Sequence, residues 1–284
     1  MHGGGGISVA TLIIGSPRPS TKIEPVLKWP GGKSLLLPSL LSAIPQAKGR
    51  FFEPFLGSAA VFLGLNPPSA VLGDVNKELI NFYTVLRDSP VDLYRAISRL
   101  RNTHEEYYAL RSAKPRAALT RATRLFFLNK TCFNGLYRTN RNGEFNVPFG
   151  DNGRQILPAE KRFLVVSQAL KAATLVTTDF ETTCKSAISG DVVYFDPPYT
   201  VAHNNNGFIK YNARLFSWQD QLRLKALVDC LVSRGVTVVL TNADHHSIRA
   251  LYDRYVIRRL ERHSVLSGSA KGRKRVSELL ISAS

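Results

Sequence analysis

The stretch that decides the fold is Val192-Val193-Tyr194-Phe195-Asp196-Pro197-Pro198-Tyr199. Four consecutive apolar or aromatic residues are typical of a short buried strand, which ends at two prolines because proline cannot donate a ladder hydrogen bond. In an open α/β sheet, ligands bind at the carboxyl ends of the strands, where this pattern puts Asp196, the Pro197 carbonyl and the Tyr199 ring. These groups predict a binding site for the exocyclic amine of a nucleobase. A solvated aspartate before a Pro-Pro turn is the alternative, and this stretch alone leaves the two interpretations even.

The net charge of the chain favours a polyanionic partner. Its 284 residues include 38 Lys and Arg against 21 Asp and Glu, a net charge of +17. Such an excess favours nucleic acid over an acidic membrane surface. Residues 87–150 hold twelve Lys and Arg against five Asp and Glu, and residues 249–275 hold nine against two. No apolar run reaches the length of a membrane span.

The cysteines and histidines do not predict a metal site or a disulfide framework. Cys132, Cys184 and Cys230 are far apart in sequence, so free thiols in the cytoplasm are expected. His245-His246 is the one histidine pair, and no cysteine lies near it in sequence. The start of the chain lacks a basic region and a cleavage site, which indicates a flexible tail rather than a signal peptide.

A glycine turn and an acid form a second strand-end pattern. Residues 51–63 predict a strand, a tight turn at Gly57 and a helix. Residues 70–74 predict a second strand, which ends in Asp74, seventeen residues after Gly57. A Rossmann-like sheet holds a nucleoside in this way, with backbone at the turn and a carboxylate on the ribose hydroxyls. A third strand pattern, residues 175–180, ends in an acid and an aromatic residue.

The segment Lys28-Trp29-Pro30-Gly31-Gly32-Lys33 precedes an apolar helical pattern. It ends like a phosphate-binding loop, but that motif needs a glycine where this chain has Leu27, so nucleotide triphosphate binding is rejected. The two glycines allow close approach to a ligand, and Lys33 can meet a carboxylate.

The middle of the chain carries a helical, basic pattern from about Asn81 to Arg124. Residues 128–150 follow and are rich in Asn, Gly, Arg and aromatics, which is typical of a loop or hairpin that reads bases in a groove. The Arg138 guanidinium has the planar shape that guanine accepts, although some of the Asn-Gly steps are turn chemistry. Residues 203–212 predict a mobile polar loop. A helix at 218–232 and strands at 236–240, 255–260 and 276–281 close the chain.

Taken in order, these motifs resemble the Dam-like, D12-class DNA adenine-N6 methyltransferases over residues 26–281. The stretches 134–138 and 143–150 are the most specific part and are similar to members that methylate adenine in GATC. The resemblance implies an α/β fold: a Rossmann-like S-adenosylmethionine-dependent methyltransferase sheet with an inserted, mostly helical target-recognition domain. It also implies the domain limits: a flexible tail at 1–25, a methyltransferase domain at 26–80 and 161–284, and a target-recognition domain with a base-reading hairpin at 81–160.

The same resemblance implies the roles of individual residues. Catalytic roles fall to Asp196, Pro197, Pro198 and Tyr199. The S-adenosyl-L-methionine site takes in Trp29, Gly32, Lys33, Glu53, Phe55, Gly57, Asp74, Asp179, Phe180 and Asp196. Contacts to DNA are expected from Lys28, Phe133, Asn134, Leu136, Arg138, Asn140, Asn146 and Pro148. Two departures stand out: Ala59 replaces a second glycine in the turn, and residues 151–154 lack the aromatic and basic run of the closest GATC enzymes.

The expected reaction is direct methyl transfer from S-adenosylmethionine to N6 of a flipped adenine in double-stranded DNA, with no metal. The expected enzyme is a monomer in the cytoplasm of a bacterium or phage-infected cell, associated with the nucleoid. A different adenine target and an RNA substrate stay open as alternatives. A non-catalytic DNA-binding module would not need an intact Asp-Pro-Pro-Tyr motif. Only family likeness favours adenine N6 over cytosine N4 as the atom that is methylated. A role in restriction-modification, in a phage or in host regulation is not decided by the sequence.

Overall fold

The computed structural model describes residues 23–140, 142–150, 156–200, 216–263 and 275–284. The predicted tail up to residue 22, the segment 151–154 and the polar loop at 203–212 lie outside the described residues. Within those ranges, no helix combines the length and the apolar character that crossing a membrane requires.

Seven strands form one mixed sheet in the order β3-β2-β1-β4-β5-β7-β6. In chain order they are β1 Phe51–Glu53, β2 Ala70–Asp74, β3 Ala173–Thr177, β4 Val192–Phe195, β5 Thr237–Ala243, β6 Val256–His263 and β7 Arg275–Ala283. Strands β1 to β5 are parallel, and β7 runs antiparallel between β5 and β6. The strands predicted from the sequence are confirmed, with bounds that differ by a few residues.

The central strand β4 is buried on both faces of the sheet, which is why it is continuously apolar. Side chains alternate along each strand, so Val192 and Tyr194 of β4 pack into one core. Val193 and Phe195 pack into another core on the opposite face.

Ten α-helices lie within the described residues. They are α1 Leu37–Ala43, α2 Ala60–Leu65, α3 Lys77–Asp88, α4 Pro90–Ser98, α5 His104–Ser112, α6 Ala118–Thr131, α7 Glu160–Leu170, α8 Phe180–Cys184, α9 Trp218–Ser233 and α10 His246–Leu251. Helices α8, α9 and α10 supply apolar residues to the core that contains Phe195, and α1, α2, α3, α4, α6 and α7 to the core that contains Tyr194. The result is a layer of helices on each face of the sheet.

The helical insertion occupies the connection between β2 and β3. Its helices α3, α4, α6 and α7 share the main core with the sheet. A separate small core joins α5, the end of α6 and the hairpin that follows; it consists of Tyr107, Phe127, Leu128, Cys132, Phe145 and Val147. The prediction of a loop or hairpin for 128–150 is wrong for its first four residues, because α6 continues to Thr131 and buries Leu128 and Asn129.

The connections from the two central strands leave in opposite directions. From β1 the chain passes through α2 to β2, whereas β4 is reached from β3 on the far side of β2 and is followed by β5. Such a reversal opens a crevice at the carboxyl ends of β1 and β4, where α/β sheets bind their ligands.

Candidate active site

The acid that follows β4 is held through one oxygen. Asp196 Oδ1 lies 2.9 Å from the Lys33 Nζ and accepts a 2.8 Å hydrogen bond from the Thr241 Oγ1. Thr241 lies on β5, beside β4, and its Oγ1 is also 2.9 Å from the Tyr194 hydroxyl.

Lys33 lies between two carboxylates. Its Nζ is 3.1 Å from Glu278 Oε2, on β7, and donates to the Tyr199 hydroxyl at 3.0 Å. The Tyr199 hydroxyl donates in turn to Glu278 Oε2 at 2.7 Å. Lys33 and Glu278 are buried, whereas the Asp196 side chain is 20% exposed. The site therefore presents one partly open acid backed by the buried Lys33 and Glu278, which are joined through the half-buried Tyr199.

The charges of this group are strongly perturbed. Burial raises the pKa of Asp196 above its ordinary value, the Lys33 ammonium opposes that rise, and the Glu278 charge adds to it. Burial alone would lower the pKa of Lys33, but Asp196 and Glu278 together raise it. Lys33 is therefore a permanent cation, and Asp196 is a more basic carboxylate than one in water.

The turn after β1 joins the second acid, Asp74, at the end of β2. The Gly57 N–H donates to Asp74 Oδ2 at 3.3 Å, and the Asn76 N–H donates to Oδ1 at 2.9 Å. Burial outweighs both bonds and raises the pKa of Asp74 to about 6. Gly57 has a φ of +49°, and a Cβ there would lie 2.9 Å from Trp29 Cδ1, so only glycine fits. Ala59 has a φ of 58° in the same turn.

The segment 28–33 contacts both this turn and the hairpin. The Trp29 ring lies against Gly57 and stacks on Tyr137 with ring centroids 4.8 Å apart. Gly32 closes a tight turn, with its N–H 3.0 Å from the Trp29 carbonyl. The buried Asn129 side chain at the end of α6 accepts from the Lys28 N–H at 2.9 Å and donates to the Lys28 carbonyl at 2.6 Å. The Lys28 side chain itself is exposed.

Glu53 ends β1 and lies behind the glycine turn. It is buried and accepts from the Phe62 N–H, at the start of α2, at 2.9 Å. Burial, and to a smaller extent the charge of Asp196, raise the pKa of Glu53 well above its ordinary value. The charge of Asp196 reaches Glu53 because β1 and β4 are adjacent parallel strands.

Aromatic rings and a third acid lie beside the crevice. Phe55 stacks on Phe180 with centroids 5.5 Å apart. Asp179 caps α8 by accepting from the Thr182 N–H at 2.9 Å, and pairs with Arg223 at 3.0 Å. Burial opposes the effect, but the bonds from Thr182 and Arg223 lower the pKa of Asp179.

The hairpin exposes its polar side chains. Arg138 Nε donates to Asn146 Oδ1 at 2.8 Å, and Asn140 Oδ1 accepts from the Asn142 and Glu144 N–H groups at 2.9 and 3.0 Å. Phe133 is 51% exposed, Asn134 and Pro148 are exposed, and Leu136 is half-buried. Asn140 thus forms the turn, and Arg138 is held by a partner within the hairpin.

Four residues that the sequence analysis did not select belong to these contacts: Tyr194, Thr241, Glu278 and Asn129. For Glu278 a signal existed, because it is a lone acid inside an apolar strand pattern and a buried charge requires a partner. Nothing in the sequence marks Thr241, since threonine is common in strands.

The sheet order and the strand-end acids are those of a Rossmann-like α/β enzyme. The chain belongs to the family of D12 class N6 adenine-specific DNA methyltransferases, whose family model matches residues 29–266. It is an adenine-specific DNA methyltransferase, and DNA is its substrate. Among the described residues, no group of three His, Cys, Asp or Glu side chains is arranged to hold a metal ion.

Curated relatives carry corresponding names. The type II methyltransferase M1.LlaDCHI of Lactococcus lactis subsp. cremoris is 34% identical over 269 residues, which cover 91% of this chain and 95% of the relative. A DNA adenine methylase of Serratia marcescens is 33% identical over 264 residues, covering 89% and 96%. The DNA N-6-adenine-methyltransferase of Escherichia phage P1 is 36% identical over 251 residues, which cover 84% of this chain but 33% of that protein.

Proposed function

We propose that the enzyme transfers a methyl group from S-adenosyl-L-methionine to N6 of an adenine flipped out of duplex DNA, within GATC. The observation that carries this proposal is the arrangement at Asp196. Lys33 and Thr241 contact Asp196 through Oδ1 at the carboxyl end of β4, and Lys33 also bonds the Tyr199 hydroxyl, so the acid and the aromatic ring are fixed at the same strand end. The GATC target rests on the likeness of the hairpin sequence to enzymes with that specificity.

The crevice between β1 and β4 suits the cofactor. A nucleoside that binds there would meet the Gly57 backbone, and the Asp74 carboxylate would accept from the ribose hydroxyls. That carboxylate is deprotonated at neutral pH, since its pKa is about 6. When bound, S-adenosylmethionine supplies an electrophilic methyl group on its sulfonium. The other residues assigned to this site are Trp29, Gly32, Lys33, Glu53, Phe55, Asp179, Phe180 and Asp196.

Asp196 and the Pro197 carbonyl act on the amine that attacks. Adenine N6 is a poor nucleophile because its lone pair is delocalised into the ring. Hydrogen bonds from N6 to Asp196 Oδ2 and to the Pro197 carbonyl favour a pyramidal nitrogen and stabilise the positive charge that develops on it. The N6 proton becomes acidic only after attack, so no strong base is needed. Pro197 and Pro198 fix the backbone that presents these acceptors.

The target base must leave the helix to reach this site. In a duplex, N6 is stacked and paired, so the adenine is extruded and its ring stacks on Tyr199. The hydroxyl of Tyr199 is anchored by Lys33 and Glu278, which makes its ring a firm platform. Positioning of the amine against the methyl group supplies much of the remaining acceleration.

Residues 81–160, inserted between residues 26–80 and 161–284 of the methyltransferase domain, select the site. Arg138 is proposed to read guanine through O6 and N7, where one bidentate pair gives about 1–3 kcal/mol of discrimination. The other groups assigned to DNA are Lys28, Phe133, Asn134, Leu136, Asn140, Asn146 and Pro148. We further propose a monomeric, cytoplasmic enzyme that associates with the nucleoid through its +17 charge.

Purified protein, labelled S-adenosylmethionine and a panel of short duplexes test this function. The panel contains GATC, its single-base variants, the same duplex with N6-methyladenine at the target, and an RNA duplex of equal sequence. Methylation of GATC that is abolished by the premethylated adenine supports the proposal. Preferred methylation of RNA would overturn the DNA assignment, and preference for another DNA sequence would overturn GATC alone.

A further inference from the structure

Glu278 is an acid in the middle of a buried strand. It lies on β7, opposite Ala243 of β5 and Leu260 of β6, and has no exposed surface. Its neighbours along the strand, Leu279 and Leu280, belong to the two main cores. A carboxylate is costly at such a position unless charged or hydrogen-bonded partners compensate it.

The partners of Glu278 are groups of the active site. Its Oε2 lies 3.1 Å from Lys33 Nζ and accepts from the Tyr199 hydroxyl at 2.7 Å. Lys33 and Tyr199 lie on segments far from β7 in sequence; Lys33 pairs with Asp196 at 2.9 Å, and Tyr199 follows Asp196 by three residues along the chain. A residue that served only the sheet would not need these two partners.

We propose that Glu278 is a positioning residue for methyl transfer, which fixes the Tyr199 ring and shares the Lys33 ammonium so that Asp196 keeps its strength as an acceptor. This inference rests on the proposed function, because it uses the roles given there to Asp196 and Tyr199. Glu278 itself touches neither the base nor the cofactor in this scheme.

The geometry explains why a second carboxylate is useful. Lys33 is the cation that keeps Asp196 ionised, but a lysine paired with Asp196 alone would draw charge away from the oxygen that the amine must use. With Glu278 on the other side, Lys33 divides its hydrogen bonds between two acids and the Tyr199 hydroxyl. Tyr199 also gains an anchor that holds its ring while the base arrives.

The inference predicts a particular pH dependence. The titratable groups that face Asp196 are Lys33, Glu278, Glu53, Tyr194 and Tyr199. Among these, Glu278 is a like charge that raises the pKa of Asp196. If the fall of the methylation rate at low pH (the acid limb of its pH profile) reports protonation of Asp196, then removal of the Glu278 charge lowers the pKa of Asp196. The acid limb of Glu278→Gln must therefore move to lower pH.

The experiment measures single-turnover methylation of a cognate duplex from pH 5 to 9 for the wild type, Glu278→Gln and Glu278→Asp. Asp253→Asn, at an exposed acid after α10, is the matched control. For Glu278→Gln we expect a plateau rate at least about tenfold below that of wild type and an acid limb displaced to lower pH. The affinities for cofactor and duplex should stay within about threefold of wild type. Glu278→Asp keeps the charge, so its limb should stay at the wild-type pH while its rate is reduced.

Two outcomes overturn the positioning role: a wild-type rate in Glu278→Gln, or a lower rate whose acid limb does not move. If Glu278→Gln does not fold, Tyr199→Phe decides, since it removes the hydroxyl and leaves Glu278 in place. For Tyr199→Phe we then expect a lower methylation rate with the acid limb at the wild-type pH, whereas a wild-type rate contradicts the inference. The wild-type arm separates the two proposals: a wild type that methylates no adenine defeats the proposed function, whereas an active wild type matched by Glu278→Gln defeats only the role of Glu278.

Discussion

The acid site at the end of β4 and the hairpin after α6 are built in opposite ways. At the acid site, Lys33, Asp196, Thr241 and Glu278 come from four separate segments and are fixed by one another. In the hairpin, polar side chains are exposed and bonded to near neighbours, as Arg138 is to Asn146. The polar side chains of the acid site are held by groups from across the fold, whereas Arg138 in the hairpin is held by a neighbour within the hairpin.

This difference indicates how the two regions can change. If the acid site acts on the adenine amine as proposed, its chemistry is the same whatever bases flank the adenine, and its groups can be buried and paired permanently. A side chain that reads a base must exchange its present partner for that base, so it has to be exposed and weakly held. Substitutions at the acid site should therefore change the rate on all DNA, and substitutions in the hairpin should change the ranking of DNA sequences.

The largest effect is expected for Asp196→Ala. Removal of the acceptor for N6 should lower the single-turnover rate by about a thousandfold, a typical loss for one preorganised electrostatic partner. Lys33 keeps Glu278 as a partner, so the fold and both affinities should stay close to wild type. Rapid-quench methylation and calorimetry measure these quantities, with Asp253→Ala as the control. A rate within tenfold of wild type would remove Asp196 from the mechanism.

Asp74→Ala should act on cofactor binding instead. Loss of a charged acceptor for two ribose hydroxyls is expected to weaken S-adenosylmethionine binding by about a hundredfold, or about 3 kcal/mol. The affinity for a cognate duplex, measured without cofactor, should change little. Calorimetric titration of both ligands checks this pattern, and an unchanged cofactor affinity would contradict the placement of the ribose.

In the hairpin, Arg138→Ala should alter selectivity. If Arg138 reads guanine, the variant loses about 2 kcal/mol on the cognate site, on the order of thirtyfold in kcat/KM, and little on sites that lack that guanine. Asn146→Ala, which removes the side-chain partner of Arg138 but keeps the arginine and the Asn146 carbonyl that it also contacts, is the matched comparison. An equal loss on every duplex would mean that Arg138 contacts the DNA backbone instead.

A smaller effect follows from the pKa of Asp74, about 6 in the free enzyme. If the Asp74 carboxylate accepts from the ribose hydroxyls as proposed, a proton on Asp74 competes with the cofactor, and binding weakens as the pH falls through 6. Between pH 7 and pH 5 the dissociation constant should rise about tenfold. In Asp74→Asn this position cannot titrate, so the dissociation constant of the cofactor should show almost no dependence on pH over the same range. Equal slopes for the two proteins would refute the competition.

The sequence predicted the strands and their terminal acids because both are local patterns. Asp196, Asp74 and Asp179 each lie at or just after the end of a strand pattern, and parallel strands bring such ends to one edge. The contacts of Glu278 and Thr241 could not be predicted in this way, because they depend on β7 and β5 lying beside β4 and on the register between them. The end of α6 was missed for a related reason: Asn129 has low helix propensity, but its bonds to Lys28 stabilise it there.

The two regions meet at the Trp29–Tyr137 stack, and the smallest predicted effect tests that junction. Trp29 lies against the Gly57 turn, while Tyr137 belongs to the hairpin and also contacts Phe145. If the stack transmits binding from one region to the other, cofactor and cognate duplex each strengthen the binding of the other by the same factor. Tyr137→Ala removes an aromatic pair that contributes about 1 kcal/mol, so this factor should fall about fivefold. Tyr137→Phe keeps the ring and should keep the coupling. The factor is obtained from cofactor dissociation constants measured with and without saturating duplex. An unchanged factor in Tyr137→Ala would show that the acid site and the hairpin act independently.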